Sequence, residues 1–365
     1  MPSTYFAQFK DDEKRGIQRN IVKMRKIVTL SWIFFLLEGL FFSSLFAEEG
    51  AVSVSEWEIP SETLAEMPAN NKENAHSFFG VDWRGYVNAG YFTNTRGAEK
   101  NGNVNANSWA QGAFNAAYVR AAKEAANNGR GFDWGFDVDF MFGEDARITR
   151  VERGLDEDWV TGHDADGNAT YGFALPQLYA DFALNNWGLR AGHFYSLLGY
   201  EGVPATDRFF YSSGLAYDAL PTSHTGVLVS YNGWEKAAVR AGWVNGINQG
   251  FSAESGGNLL LGDVAIPLGE QFSFRYALAA GDFFNDIVHT QGSMHSITLE
   301  ASPSEPLKLA TTVDWQYLKT DSIDTATNVV LGQHAYFTFN DRWKAGARIE
   351  WERTETDFFG RDLST

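Results

Sequence analysis

Charged side chains occupy alternate positions in many short segments of this 365-residue chain. In the segment 132–142, Asp133, Asp137 and Asp139 alternate with aromatic and aliphatic side chains. Successive side chains of a β-strand point to opposite faces, so these charges would share one face of a sheet. The candidate pore-lining charges on that face are Arg84, Asp133, Asp137, Asp139, Asp181, Arg190, Arg240, Arg275, Asp314, Lys344, Arg348 and Glu350. Around a water-filled lumen, such charges either set the ion preference as rings or pair with one another.

The charges on this face nearly balance. When Lys308, Glu300 and Glu352 are added, seven basic residues face eight acidic ones. Pairing across the wall is therefore the expected arrangement. The whole chain carries 29 Lys and Arg against 46 Asp and Glu, a net charge of −17. Because the negative excess falls largely between the alternating segments, the sequence predicts at most mild cation selectivity.

A second group of candidates lies in the long segment 196–222, which joins two predicted strands. Its candidate constriction-loop residues are Tyr200, Glu201, Asp207, Arg208, Phe209, Phe210 and Tyr211. One interpretation is a loop that folds into the lumen and narrows it, with Glu201, Asp207 and Arg208 facing solute. The other is a lid that packs on neighbouring loops. The sequence alone leaves both interpretations open.

His193 and His224 stand at the two ends of that segment. Polar contacts that anchor the loop are the expected role, because a metal site would need a third ligand in the right geometry. The segment HDADGN at 163–168 is similar to a calcium loop but lacks the later bidentate Glu, so a polar turn is expected there. The sequence therefore predicts no metal and no cofactor.

Composition excludes several classes of function. The net negative charge argues against nucleic-acid binding, which needs a basic surface to displace counterions. The chain has no cysteine, which removes disulfides, thiol catalysis and thiolate zinc sites. The sequence contains no G-x-S-x-G nucleophile motif, and no enzymatic function is expected. For an outer-membrane hydrolase, the only candidates would be His193, His224 and the loop serines.

The elements that must position these residues are short strands. Segments with period two and a length of about ten residues are typical of transmembrane β-strands. The thirteen predicted strands lie near 82–94, 109–123, 130–143, 173–184, 188–195, 223–231, 236–245, 258–266, 270–281, 292–301, 306–318, 328–339 and 342–354. Short and long connections alternate between them, as expected of an antiparallel up-and-down transmembrane β-barrel. The count is odd and the tail FFGRDLST reads as the start of an external loop, so we expect a barrel of about 16 strands truncated at the C-terminus.

The N-terminal part predicts export. The apolar run at 27–47 follows Arg25 and Lys26 and ends at a tolerable cleavage site before Glu48, which favours a signal peptide over a transmembrane anchor. We therefore expect an unstructured or mis-assigned extension at 1–23, a signal peptide at 24–47, a periplasmic lead-in at 48–80 and the barrel domain at 81–365.

The segments LRAGHFYSLLGYEGVPATDRFFYS at 189–212 and PTSHTGVLVSY at 221–231 resemble the OmpL-like β-barrel porin family (beta-barrel porin-2). WRGYVNAGY at 83–91 and PQLYAD at 176–181 also resemble it. The resemblance covers roughly residues 80 to 354. It implies an outer-membrane channel of undefined solute and no family-wide catalytic residues. It also implies a barrel that continues past the end of this chain.

The predicted function is a porin for passive diffusion of ions and small polar solutes through the bacterial outer membrane. Its expected partners are outer-membrane lipid and these solutes, with no nucleic acid. A homo-oligomer, a trimer included, is compatible with the sequence. A plugged structural or adhesive barrel is the main alternative. A secreted soluble β-protein would also alternate apolar and polar residues, but it has no need of aromatic residues at both strand ends.

Overall fold

The computed structural model describes residues 76–78, 80–92, 111–125, 131–163, 169–234, 236–252, 257–283, 289–320, 325–358 and 361–364. The expected extension, the signal peptide and nearly all of the lead-in lie outside the described residues, as do Asp164, Asp166 and Asn168 of the HDADGN segment. Those expectations stay predictions.

The described residues form seventeen β-strands in one sheet. The first nine are β1 His76–Phe78, β2 Val81–Phe92, β3 Gln111–Lys123, β4 Phe132–Gly143, β5 Val160–His163, β6 Ala169–Ala174, β7 Leu178–Leu184, β8 Trp187–Tyr195 and β9 Ser223–Trp234. The others are β10 Ala237–Val244, β11 Asn258–Pro267, β12 Phe272–Asp282, β13 Thr290–Ser304, β14 Leu307–Thr320, β15 Thr325–Asn340, β16 Trp343–Phe358 and β17 Arg361–Ser364.

Neighbouring strands along the chain pair antiparallel, which confirms the predicted up-and-down sheet. Around β4 the order is more complex: its 132–138 part pairs with β7, its 141–143 part pairs with β6, and β5 pairs only with β6. Among the described residues, no ladder of paired residues joins β1 or β2 to β16 or β17. The described sheet is therefore open.

All thirteen predicted strands correspond to strands of the structure, whose described residues form four strands more than predicted. β1 lies at the end of the predicted lead-in, and β5 lies in the predicted long connection before residue 173. The predicted strand 173–184 is interrupted at 175–177 and becomes β6 and β7. Pro176 lies in this gap, where its missing N–H could not join a ladder. The tail was expected to begin a loop, but Arg361–Ser364 forms β17 and pairs with Glu355–Phe358 of β16. β16 and β17 therefore form a hairpin, although the tail does not show the alternation of polar and apolar residues by which the other strands were predicted.

The outer face of the sheet is apolar, and its aromatic residues gather at both ends of the strands. In β4, Trp134 and Phe140 are exposed while Asp137 and Asp139 are buried on the opposite face. Near the ends of the strands that meet at tight turns, the exposed aromatics are Trp83, Phe132, Trp134, Trp187, Trp234, Phe339 and Trp343. Near the other ends they are Tyr91, Trp243 and Tyr317. Two such girdles are typical of a sheet that faces lipid.

The connections alternate as predicted. Two-residue turns join β7 to β8, β13 to β14 and β15 to β16. Asn185 of the first turn has φ of 53°, a left-handed conformation that asparagine tolerates well in hairpins. The opposite ends of the strands carry the longer segments 144–177, 196–222 and 245–257. These long segments all lie at one end of the sheet.

Helices occur only inside two of these long segments, within the part of the chain that the structure describes. Helix α1 is Glu144–Thr149, helix α2 is Leu215–Ala219, and Ala205–Asp207 forms one 3₁₀ turn. No described helix has the length and apolar content needed to cross a bilayer.

Candidate functional site

The segment 196–222, called here the crossing loop, leaves the sheet through a narrow neck between β8 and β9. Tyr195 pairs with Ser223, and the Ser196 N–H donates to the Thr222 carbonyl over 2.9 Å. The two ends of the loop are therefore held together like the base of a hairpin, and everything between them projects from one point of the wall.

His193 and His224 are buried at this neck. His193 Nδ1 lies 2.8 Å from Thr225 Oγ1, while His224 contacts Ser196 Oγ at 3.1 Å and the Gly246 carbonyl at 2.8 Å. These are the polar anchoring contacts expected from the sequence. No group of three metal-ligating side chains occurs among the described residues.

Ser196 and His224 are the residue types of a catalytic dyad, but the neighbouring groups of a catalytic site are not present around them. The remaining ring nitrogen of His224 faces a backbone carbonyl, whereas a triad would place a carboxylate there to orient the imidazole and stabilise its charged form. Ser196 Oγ also accepts the Leu198 N–H at 3.1 Å. Both groups serve the neck of the loop.

One side of the crossing loop contacts the inner face of β2 and β3. The Ala205 N–H donates to the Tyr86 hydroxyl at 3.0 Å, and the Tyr211 hydroxyl donates to Asn115 Oδ1 at 3.2 Å. Gly90 allows this approach, because a Cβ at that position would lie 2.5 Å from the Tyr211 hydroxyl. These two strands lie near the margin of the described sheet that begins with β1.

The other side of the loop contacts strands near the end of the sheet. The Gly199 N–H donates to Ser296 Oγ of β13 at 2.9 Å, and Gln316 of β14 donates to the Ala219 carbonyl at 2.6 Å. In β16, Glu350 accepts the Leu215 N–H at 3.1 Å. The loop therefore spans the inner face from β2 to β16 and is attached at both sides.

Arg348 of β16 is the most connected of these attachments. Its guanidinium forms an ion pair with Glu201, donates to the Ser213 carbonyl at 2.9 Å and lies 4.9 Å from the Phe210 ring centroid. Arg348 Nε is also 3.1 Å from Glu350. One side chain thus binds both halves of the crossing loop.

Aromatic rings pack the loop against the same wall. Phe209 lies 5.1 Å from both Phe210 and Tyr336, measured between ring centroids, and Tyr200 lies 4.9 Å from His334. A Cβ on Gly346 of β16 would fall 2.4 Å from the Phe209 ring. The predicted aromatic residues of the loop are in this way divided between the two walls.

Helix α1 supports the loop from a second direction. Asp145 forms an ion pair with Arg208 at 3.6 Å, and the Arg208 guanidinium lies 5.1 Å from the Tyr217 ring centroid. Burial raises the pKa of Asp145, which the Arg208 charge opposes, and burial raises the pKa of Tyr217 to about 12. Arg208 was expected to face solute, but its side chain is 8% exposed because it is enclosed by these partners.

Most of the predicted wall charges are paired across neighbouring strands, as the near balance of charge suggested. Arg190 pairs with Asp181 at 2.9 Å. Asp263 lies between Arg240 and Arg275, at 2.5 and 2.9 Å. Among the other predicted residues, Asp133 pairs with Lys123 at 3.2 Å, and Asp314 contacts Ser296. Lys344 is exposed. Arg84 forms no ion pair with any of the described residues.

Asp137 and Asp139 belong to a buried network of hydrogen bonds and ion pairs. Both aspartates were predicted from the sequence, but their partner Arg120 was not. Arg120 pairs with Asp137 at 2.6 Å, while Tyr118 and Tyr195 donate to the same oxygen of Asp139 at 2.6 and 2.8 Å. Arg120 and Asp263 were not among the predicted residues, although both follow the same alternation. Recognising them needed the register of β3 with β4 and of β10 with β11.

Comparison with known proteins gives one family and a set of similar folds. The family described as "Putative beta-barrel porin-2, OmpL-like" matches residues 80–363. OmpF of Salmonella typhi, in complex with daunomycin, is 13% identical over 77% of this chain and 81% of that chain, with a TM-score of 0.50. An anion-selective porin from Comamonas acidovorans is 15% identical over 76% and 79%, with a TM-score of 0.48. At such identities a structural likeness concerns the fold alone. No curated protein matches the chain.

Proposed function

The chain belongs to the OmpL-like β-barrel porin family, and we propose that it is a non-enzymatic outer-membrane channel for passive diffusion of ions and small polar solutes. The observation that carries the proposal is the contrast between the faces of the sheet. The outer face exposes Trp134 and Phe140, while the inner face of the same strand holds Asp137 and Asp139. An apolar exterior suits lipid and a charged interior suits a water-filled lumen.

The crossing loop supports a constriction within that lumen. It is attached to β2 and β3 through Tyr86 and Asn115, and to β16 through Arg348 and Glu350. A solute that follows the inner face must therefore pass beside this loop. We propose that the predicted loop residues and wall charges set the width and the field of the passage.

Planar-bilayer recording of the refolded protein tests the proposal. We expect discrete conductance steps, and larger steps from a variant in which 199–218 is replaced by a short Gly-Ser linker. Heat-modifiable mobility in detergent serves as the control that each protein is folded and closed. The absence of steps from a folded loop-shortened variant would exclude the channel.

A plugged structural or adhesive barrel remains the second candidate, and one observation favours it: the crossing loop is attached at both walls. In that case the folded wild-type protein would be silent and the loop-shortened variant would conduct. A hydrolase of the barrel type has less support, because the Ser196–His224 contact is enclosed at the neck.

Location and assembly follow from the same proposal. We propose export by the predicted signal peptide and insertion into outer-membrane lipid, and we keep a homo-oligomer such as a trimer as a prediction. Fractionation of cells that express the full chain tests the location. Sedimentation of the detergent-solubilised protein tests the assembly, with a single-chain mass arguing against the oligomer.

A further inference from the structure

A cavity of about 310 Å³ lies between the crossing loop and the inner wall. Its loop side combines an apolar part, formed by Leu197, Leu198 and Leu220, with the polar residues Glu201 and Asp207. Its wall side includes Arg84 and Arg120. The volume falls within the range of small-molecule sites, and the two sides differ in chemical character.

Arg84 stands directly opposite another cation. Arg84 of β2 and Arg120 of β3 are paired residues in the ladder, and both residues line the cavity. Like charges at opposed positions of a sheet are destabilising. Arg120 is compensated by Asp137, whose carboxylate lies 2.6 Å away. That carboxylate is therefore already engaged.

The charges around Arg84 leave it without an anionic partner among the described residues. Asp82, two residues earlier on the same strand face, forms no ion pair with it within the described part of the chain. Across the cavity, Glu201 is engaged by Arg348 and by the Gly214 N–H, the latter at 2.6 Å. Asp207 lies on the loop side, where it accepts a hydrogen bond from Thr206 at 3.3 Å.

Other arginines of the inner wall, unlike Arg84, each pair with a carboxylate. Arg190 is held by Asp181 and Arg275 by Asp263, each at 2.9 Å. Arg275 also lines the cavity and donates to the Leu197 carbonyl at 2.8 Å, which fixes its position at the loop. Arg84 is thus a cation that lines the cavity and whose charge the described residues do not match.

From this arrangement we infer that the cavity is a binding site for a small organic carboxylate with an apolar body. The carboxylate would pair with Arg84, for which a guanidinium offers two parallel N–H donors. The apolar body would lie against the leucines of the loop and the ring of Tyr86. The inference rests on the proposed channel and names one class of solute for it.

Three ligands of nearly equal shape test the inference: benzoate, benzamide and benzylammonium. Calorimetric titration of the detergent-solubilised full-length protein measures binding without requiring conduction. We expect benzoate to bind at least about tenfold more tightly than the other two, the factor that one charge-assisted hydrogen bond would give. Current block by benzoate in planar bilayers should follow the same order.

Variants locate the site. Arg84→Gln should weaken benzoate binding about tenfold, and Arg84→Lys should retain part of it. Lys344→Gln is the matched control, because it also removes one positive charge. Lys344 is an exposed residue of β16 and does not line the cavity. Since Arg84 opposes Arg120, Arg84→Gln should leave the midpoint of urea unfolding unchanged or raised, which separates loss of binding from loss of folding.

Equal binding of benzoate and benzamide, or benzoate binding that survives Arg84→Gln, would overturn the inference. Tighter binding of benzylammonium would assign the cavity to cations instead. A protein that conducts potassium chloride but ignores benzoate would remain a channel and lose only this site. A folded protein that binds benzoate but never conducts would lose the channel and keep the site.

Discussion

At the scale of single residues, Arg348 shows why geometry as well as charge is needed at the crossing loop. Its guanidinium serves Glu201, the backbone carbonyls of Ser212 and Ser213, and the Phe210 ring at once. A planar group with five N–H donors can satisfy such a set, whereas the compact ammonium of lysine cannot reach all of it. The attachment of the loop therefore depends on the shape of this side chain.

Replacement of Arg348 should release the loop. In Arg348→Gln, the carboxylates of Glu201 and Glu350 lose their common cation while both remain largely buried. Removal of one partner of a buried pair costs roughly 3 kcal/mol. Urea unfolding in lipid vesicles should show that loss, and bilayer recordings should show noisier open-channel current.

Lys344→Gln is the control for this prediction as well. Lys344 lies four residues earlier on the same strand face and is exposed. Its loss should change the free energy of unfolding by less than about 1 kcal/mol, as is usual for exposed charges. A similar destabilisation in both variants would show that net charge, and not the attachment of the loop, is what matters.

At the scale of elements, the crossing loop depends on two glycines of the wall. Gly90 of β2 and Gly346 of β16 leave room for Tyr211 and Phe209, whose ring atoms lie where a side chain would start. The two glycines lie at opposite margins of the described sheet. The loop therefore approaches both walls closely because, at Gly90 and at Gly346, the wall has no side chain in its way.

Gly346→Val should push the loop away from β16. The new side chain would collide with the Phe209 ring, which packs on Phe210 and Tyr336 at 5.1 Å and would have to shift away from β16. We expect larger conductance steps and faster proteolysis of the loop. Gly112→Val is the matched control, since no atom lies within 4 Å of its Cβ position. Unchanged steps in both variants would contradict the proposed role of this contact.

The strands could be predicted from the sequence because their alternation is a local property. The thirteen predicted strands appear, whereas the short strands β1, β5 and β17 and the interruption at Pro176 were not predicted. The path of the crossing loop could not be predicted, because its attachments join residues as distant in sequence as Glu201 and Arg348. The pairing of Asp263 with two arginines likewise required the register between strands, which alternation alone does not supply.

At the scale of the whole molecule, the paired wall and the net charge of −17 act on ions in different ways. Pairs such as Arg190 with Asp181 cancel each other's field at a distance. The unpaired excess would instead act at the mouth of the channel, where salt screens it over about 10 Å at 0.1 M. Selection among small ions is then expected to be weak.

The reversal potential in a potassium chloride gradient measures this selection. We expect a mild preference for potassium that declines as the salt concentration rises, because screening shortens the reach of the loop charges. Arg84→Gln should shift the potential slightly further toward cations. A reversal potential that favours chloride in the wild-type protein would show that the cationic wall outweighs the loops.

The outward-facing tryptophans allow the depth of the sheet in a bilayer to be measured by fluorescence. Trp83, Trp187, Trp234 and Trp343 lie near the tight-turn margin of the sheet, Trp351 lies midway along β16, and Trp243 lies near the other margin. Indole fluorescence is quenched by bromine, so lipids brominated at different depths of their acyl chains should dim these rings in proportion to proximity. Quenching in the unlabelled protein would then report the average depth of these rings in the bilayer while the chain folds.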